Sequence, residues 1–188
     1  SNDMLDACMR AFGVPGTPMA VSVPTFVMAA HFGTANSLRV IPVPTRPDDD
    51  LDVDALLATG APLIYLATPN NPSGRAASPG RVTALLDRAP GIVIIDEAYT
   101  EYLGTSWART AAALPNVVVT RTFSKAWGLA GLRIGYAVGS ARLVDDIAKA
   151  RGPYKLNAVA EQGAALAVEQ DQDWLDQVVR DTRAARDR

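Results

Sequence analysis

Ile92-Val93-Ile94-Ile95-Asp96-Glu97-Ala98-Tyr99 is an apolar strand that ends in a carboxylate. Two comparable runs stand on either side of it. Leu63-Ile64-Tyr65-Leu66-Ala67 leads into Pro69-Asn70-Asn71-Pro72-Ser73-Gly74. Val117-Val118-Val119, β-branched and read as a buried strand, leads into Phe123-Ser124-Lys125. Helical patterns fill the gaps. Ser78 is expected to cap a helix through Arg88, with Pro79 at its first position. Upstream, Asp3 to Phe12 reads as a helix stopped by Gly13, Met19 to Val23 as a strand and Thr25 to Phe32 as a helix. Arg39 to Val43 is a strand and Asp52 to Ala58 a short helix. Downstream, Leu132 to Val138 is a strand, and Ser140 caps a helix to about Arg151. Gly152-Pro153-Tyr154 breaks it, and helical runs follow over Asn157 to Glu169 and Asp173 to Arg188. The last run puts Trp174, Leu175, Val178, Val179 and Thr182 on one stripe. Alternating strands and helices predict a three-layer α/β/α fold with a mostly parallel central sheet.

Composition narrows the function. The 188 residues are 48% hydrophobic and 20% charged, which suits one well-buried soluble core. A net charge of −2 offers no basic surface for nucleic acid or an anionic membrane. No apolar stretch reaches membrane-spanning length, and no secretory signal opens the chain, so the cytoplasm is the expected compartment. The single cysteine, Cys8, excludes an internal disulfide and a cysteine-cluster metal site; it reads as a small buried hydrophobe on a helix. The single histidine, His31, reads as a structural or surface residue, and no metal site is expected. Neither a G-x-G-x-x-G nor a Walker-type loop is present, and no nucleophile triad has support.

Lys125 points to a different chemistry. It follows an apolar strand and is flanked by Phe123 and Trp127. Partial desolvation there is expected to lower its pKa from the ordinary ~10.4 and free its amine as a nucleophile. Such an amine forms Schiff bases with carbonyls, including the aldehyde of pyridoxal phosphate (PLP). PLP in turn needs a carboxylate beside its pyridine nitrogen. Asp96 is the candidate, because it ends an apolar strand at the carboxyl edge of the sheet. Its plainer alternative is a helix cap. Glu97 follows directly and is expected to face elsewhere.

Asn70-Asn71-Pro72-Ser73-Gly74, Asp96-Glu97-Ala98-Tyr99 and Ser124-Lys125 through Arg133-Ile134-Gly135-Tyr136 occur in the order and with the spacing of one known family. On these motifs the chain resembles fold-type I PLP-dependent aminotransferases of class I/II, most of all the histidinol-phosphate aminotransferase branch. The resemblance implies that Lys125 holds PLP and moves the proton at the substrate Cα, while Asp96 serves the pyridine nitrogen. It implies that Tyr99 and Asn71 donate to the phenolic oxygen. The plainer alternative is that Asn70 and Asn71 simply build their turn. Ser124 and Arg133 are implied as phosphate ligands, joined by backbone N–H groups of Ser1 and Asn2 at the start of the first helix. Phe26 is implied as the ring-stacking aromatic, against a plainer role in a helix core. Trp127 reads as packing.

The resemblance further implies transamination of histidinol phosphate or an aromatic amino acid with 2-oxoglutarate, in a homodimer. Two alternatives accompany it: a PLP-dependent decarboxylase resembling threonine-phosphate decarboxylase, and a truncated, non-catalytic PLP-binding paralogue. Family members extend further on both sides, with an N-terminal arm and a C-terminal small domain. Residues 1–188 are therefore expected to be the PLP-binding large domain, with both terminal parts missing.

Overall fold

The computed structural model describes residues 1–188. Six strands form one sheet: β1 (Pro18–Val23), β2 (Arg39–Pro44), β3 (Leu63–Ala67), β4 (Ile92–Asp96), β5 (Val117–Thr122) and β6 (Gly135–Gly139). Their spatial order is β2-β1-β3-β4-β5-β6. The first five run parallel, and β6 lies antiparallel beside β5. The helices are α1 (Asn2–Phe12), α2 (Val27–Ala35), α3 (Val53–Ala58), α4 (Pro79–Arg88), α5 (Thr100–Leu103), α6 (Ala108–Ala113), α7 (Ala141–Ala150), α8 (Ala158–Gln170) and α9 (Gln172–Arg186).

Strand alternation sorts the apolar residues onto two faces. On one face, Leu63, Tyr65, Ile94 and Val118 pack with Leu5 and Met9 of α1, Ala29 of α2, and Leu143 and Ile147 of α7. On the other, Ile64, Leu66, Val93, Ile95 and Val119 pack with Leu56 of α3, Leu85 of α4 and Ala111 of α6. Both faces are covered, which explains the unbroken apolar runs of β3, β4 and β5. The three-layer arrangement is the expected one. Cys8 lies fully inside the α1 layer, where burial pushes its thiol up to about 12. It is an inert core residue. His31 is exposed.

The connection from β1 runs outward to β2, and the chain then returns to set β3 on the other side of β1. The strand order reverses there, and the carboxyl ends of the strands open a crevice beside it.

Several local expectations need correction. Ser78 stands at the start of α4, but its hydroxyl makes no capping bond; it donates to the Asp50 carboxylate, which also pairs with Arg81 at 3.0 Å. Ser140 likewise makes no side-chain cap. The last strand begins at Gly135 rather than Leu132, because Ala130–Leu132 forms a 3-10 turn and Arg133 turns left-handed at φ 56°. Helix α2 starts at Val27 rather than Thr25. Helices α5 and α6, of 4 and 6 residues, are too short to show a period in sequence. On α9 only Leu175 of the expected stripe is buried, and Trp174 remains 48% exposed.

Leu85 has no exposed surface and sits where α4 meets the sheet. Leu85→Ala is expected to destabilise the fold by about 2–5 kcal/mol, whereas His31→Ala should change it by less than about 0.5 kcal/mol. Urea unfolding midpoints of the two variants check this.

Candidate active site

A cavity of about 470 Å³ opens at the carboxyl ends of the strands. All nine residues expected to form the site line it: Ser1, Asn2, Phe26, Asn71, Asp96, Tyr99, Ser124, Lys125 and Arg133. They come from five places in the sequence, namely the start of α1 and the segments after β1, β3, β4 and β5. The parallel sheet brings these segments to one edge.

Asp96, the last residue of β4, is 3% exposed. Its Oδ2 accepts a hydrogen bond from the Tyr65 hydroxyl at 3.1 Å, and its Oδ1 accepts the Ala98 N–H at 3.1 Å. Burial pushes its carboxyl above the ordinary range, and the bonds from Tyr65 and Ala98 oppose that shift. It caps no helix, since α5 begins at Thr100 behind Tyr99. Glu97 points to the opposite side of the sheet, as strand alternation requires. There its carboxylate accepts from the Ser106 hydroxyl at 2.6 Å and from the Trp107 N–H.

Lys125 corrects one expectation. It is exposed, so the desolvation anticipated around its amine is absent. The apolar strand ends at Thr122, and Phe123 and Trp127 turn away to pack on each other and on Ala160 and Ala164 of α8. Trp127 is thus packing, as read. Lys125 is left in the turn, closed by the Gly128 N–H on its carbonyl at 2.9 Å, with Gly128 at φ 69°. Its Nζ lies 5.2 Å from the centroid of the Tyr99 ring, inside the range of a cation–π contact.

Arg133 also lines the cavity, in a left-handed conformation that non-glycine residues rarely adopt. Its Nη1 donates to the Ala130 carbonyl at 2.8 Å, and it takes part in none of the chain's ion pairs. Strain of this kind persists only where the surroundings impose it. Ser124 lines the same cavity, its N–H bonded to the Thr122 hydroxyl at 3.1 Å. The first turn of α1 faces the same space, so its free N–H groups and helix dipole point at the cavity.

The two asparagines separate cleanly. Asn70 builds the turn: its amide donates to the Pro24 carbonyl at 2.8 Å and to the Ser73 hydroxyl at 3.0 Å, while its Oδ1 accepts from Thr25 at 2.7 Å. Asn71 faces the cavity. Phe26 precedes α2 and also lines the cavity, so it is no part of a helix core.

Sequence reading passed over Tyr65, which touches Asp96, and the cavity residues Arg151 and Lys155. Tyr65 did carry a signal: a tyrosine inside an apolar strand must find a partner for its hydroxyl.

Residues 1–188 match the family described as aminotransferase class I and II over their whole length. The chain belongs to the class I and II aminotransferase family. A curated histidinol-phosphate aminotransferase 2 of Oceanobacillus iheyensis is 34% identical over 184 residues, covering 93% of this chain and 50% of that protein. Its counterpart from Caulobacter vibrioides is 41% identical over 196 residues, covering 100% and 52%. Among solved structures, the histidinol-phosphate aminotransferase of Sinorhizobium meliloti, in complex with pyridoxal-5'-phosphate, superposes with a TM-score of 0.85 at 32% identity; it covers 94% of this chain and 50% of that one. The chain thus spans about half the length of these aminotransferases.

The raised carboxyl of Asp96 has a consequence for the ligand-free aminotransferase chain. The folded state binds the proton more tightly than the unfolded state. The stability that this group contributes is therefore greatest below the ordinary carboxylate range and is lost as pH rises through the raised value. Asp96→Asn should abolish this part of the pH dependence and make the ligand-free chain more stable at neutral pH than the parent. Denaturant titrations of both at acidic and neutral pH check it.

Proposed function

We propose that the protein containing this chain is a PLP-dependent aminotransferase of the histidinol-phosphate branch, with PLP seated in the cavity described above. The observation that carries this reading is the meeting of Asp96, Lys125, Tyr99 and Arg133 in one cavity from separate stretches of the chain. The donor set fits the cofactor's parts. A buried carboxylate suits a protonated ring nitrogen, a free amine suits an aldehyde, and a guanidinium beside a helix N-terminus suits a phosphate. The volume is that of a small-ligand site.

PLP, when bound, supplies the electron sink for charge that develops at the substrate Cα. The chain's own residues do the rest. Asp96 holds the ring-nitrogen proton by charge. Lys125 would hold the cofactor through its amine, and its Nζ would move a proton at the substrate Cα. Tyr99 and Asn71 would donate to the phenolic oxygen. Ser124, Arg133 and the N–H groups at Ser1 and Asn2 would orient the phosphate, and Phe26 would stack on the ring.

The names of the relatives support histidinol phosphate as the amino donor. They also favour amino-group transfer over decarboxylation. We assign 2-oxoglutarate as acceptor, aromatic amino acids as further donors, and a cytoplasmic homodimer as the working form. No helix is long and apolar enough to cross a membrane. An amino-donor screen on the full-length protein, read as spectral conversion of PLP to its amine form, tests the reading. Failure of every amino donor to convert bound PLP would overturn it.

Borohydride reduction and peptide mapping should place the pyridoxyl group on Lys125. An adduct on Lys149 or Lys155 would sink that assignment. Lys125→Ala should abolish turnover. Asp96→Asn should still bind PLP but slow Cα deprotonation by about 3–5 kcal/mol, the scale of a broken buried charge pair. Single-turnover kinetics measure this, and a rate near that of the parent would reduce Asp96 to a structural residue.

A further inference from the structure

We propose that Tyr65 is the positioning residue of this site: its buried hydroxyl, 3.1 Å from Oδ2 of Asp96, holds that carboxylate charged and fixed in orientation toward the cavity. The inference rests on the PLP reading for the identity of the ligand. The hold of Tyr65 on Asp96 rests on geometry alone.

Tyr65 is fully buried in the middle of β3 and does not line the cavity. It lies opposite Ile94 of β4, while Ala67, two residues on, lies opposite Asp96. Tyr65, Ile94 and Asp96 therefore share the α1 face of the sheet. The tyrosine ring spans the distance along that face and delivers its hydroxyl to the end of the neighbouring strand. Phenylalanine would fill the same apolar space, so packing alone does not require the hydroxyl.

A donor aimed at a carboxylate oxygen favours the ionised form over the acid. Burial and the nearby Asp96 charge push the phenol itself well above its ordinary value, so it stays a neutral donor while Asp96 titrates. Oδ1 is taken by the Ala98 N–H, so both oxygens are restrained. The charged groups that share the cavity with Asp96 are Lys125, Arg133, Lys155 and the Asp3–Arg151 pair. None is seen to hydrogen-bond the carboxylate. The Thr120 hydroxyl of β5, in register with Asp96, also lies near it but makes no hydrogen bond of good geometry, which leaves Tyr65 as the side-chain donor.

Tyr65→Phe in the full-length protein tests the proposal with two readouts. First, the Asp96 carboxyl is titrated by carbon-13 NMR without cofactor; its midpoint should move upward in the variant. Second, with PLP bound, kcat should fall about tenfold with a smaller change in KM, the scale of one hydrogen bond to a charged group. An unmoved Asp96 midpoint, or a variant as fast as the parent, would overturn the proposal. Should the variant not fold, the parent protein decides. The Tyr65 Cζ resonance should step at the Asp96 midpoint, and a pH-independent resonance would overturn the proposal. A parent protein that takes up no PLP would defeat the functional reading, and the carboxyl titration would still settle whether Tyr65 holds Asp96.

Discussion

A carboxylate buried at the end of an inner strand is the constraint around which this structure is arranged. Asp96 is 3% exposed, and removing its charge from water is unfavourable by several kcal/mol unless the surroundings answer it. The answers come from different elements. β3 supplies the Tyr65 hydroxyl, and the chain after β4 supplies the Ala98 N–H. The remaining mismatch shows as a carboxyl still pushed above its ordinary range by burial. A site that leaves a buried acid short of partners is less stable when empty than it could be, and a cationic ligand group at the cavity floor would remove the deficit.

Strand alternation divides two adjacent acids between two tasks. Asp96 faces α1 and the cavity. Glu97 faces the other side, where Ser106, Trp107 and the Arg121 guanidinium surround it, the last at 3.9 Å. Arg121 also binds Glu101 of α5 at 2.7 Å. This second cluster anchors the segment that follows β4, so Tyr99 is held between two fixed points. The pairing of a cavity-facing acid with one on the other face thus sets the position of the residue over which Lys125 lies.

Much of this was legible in sequence, and the reason is particular. The runs of β3, β4 and β5 are apolar because helices cover both faces, and each run stops at a polar residue that marks the crevice. Motif order then gathered nine residues that the structure does place in one cavity. What escaped depended on partners distant in the chain. Ser78 has the residue type and position of a cap, but Asp50, far upstream, takes its hydroxyl. Lys125 follows an apolar strand, yet its aromatic neighbours turn to α8 and leave it exposed. Tyr65 looks like any strand residue until its register against Asp96 is known.

The asparagine pair shows how a local motif acquires its meaning from a contact elsewhere. Nothing in Asn70-Asn71 distinguishes a turn builder from a cavity residue. The Asn70 amide distinguishes them by bridging to Pro24 and Thr25, at the end of β1. That bridge ties the turn after β3 to the turn after β1, across the point where the strand order reverses. Phe26 follows Thr25 and Asn71 follows Asn70, so one clamp places both residues at the cavity wall. Asn70 needs no contact with a ligand for its loss to disturb the site, because it fixes the distance between two residues that do face the cavity.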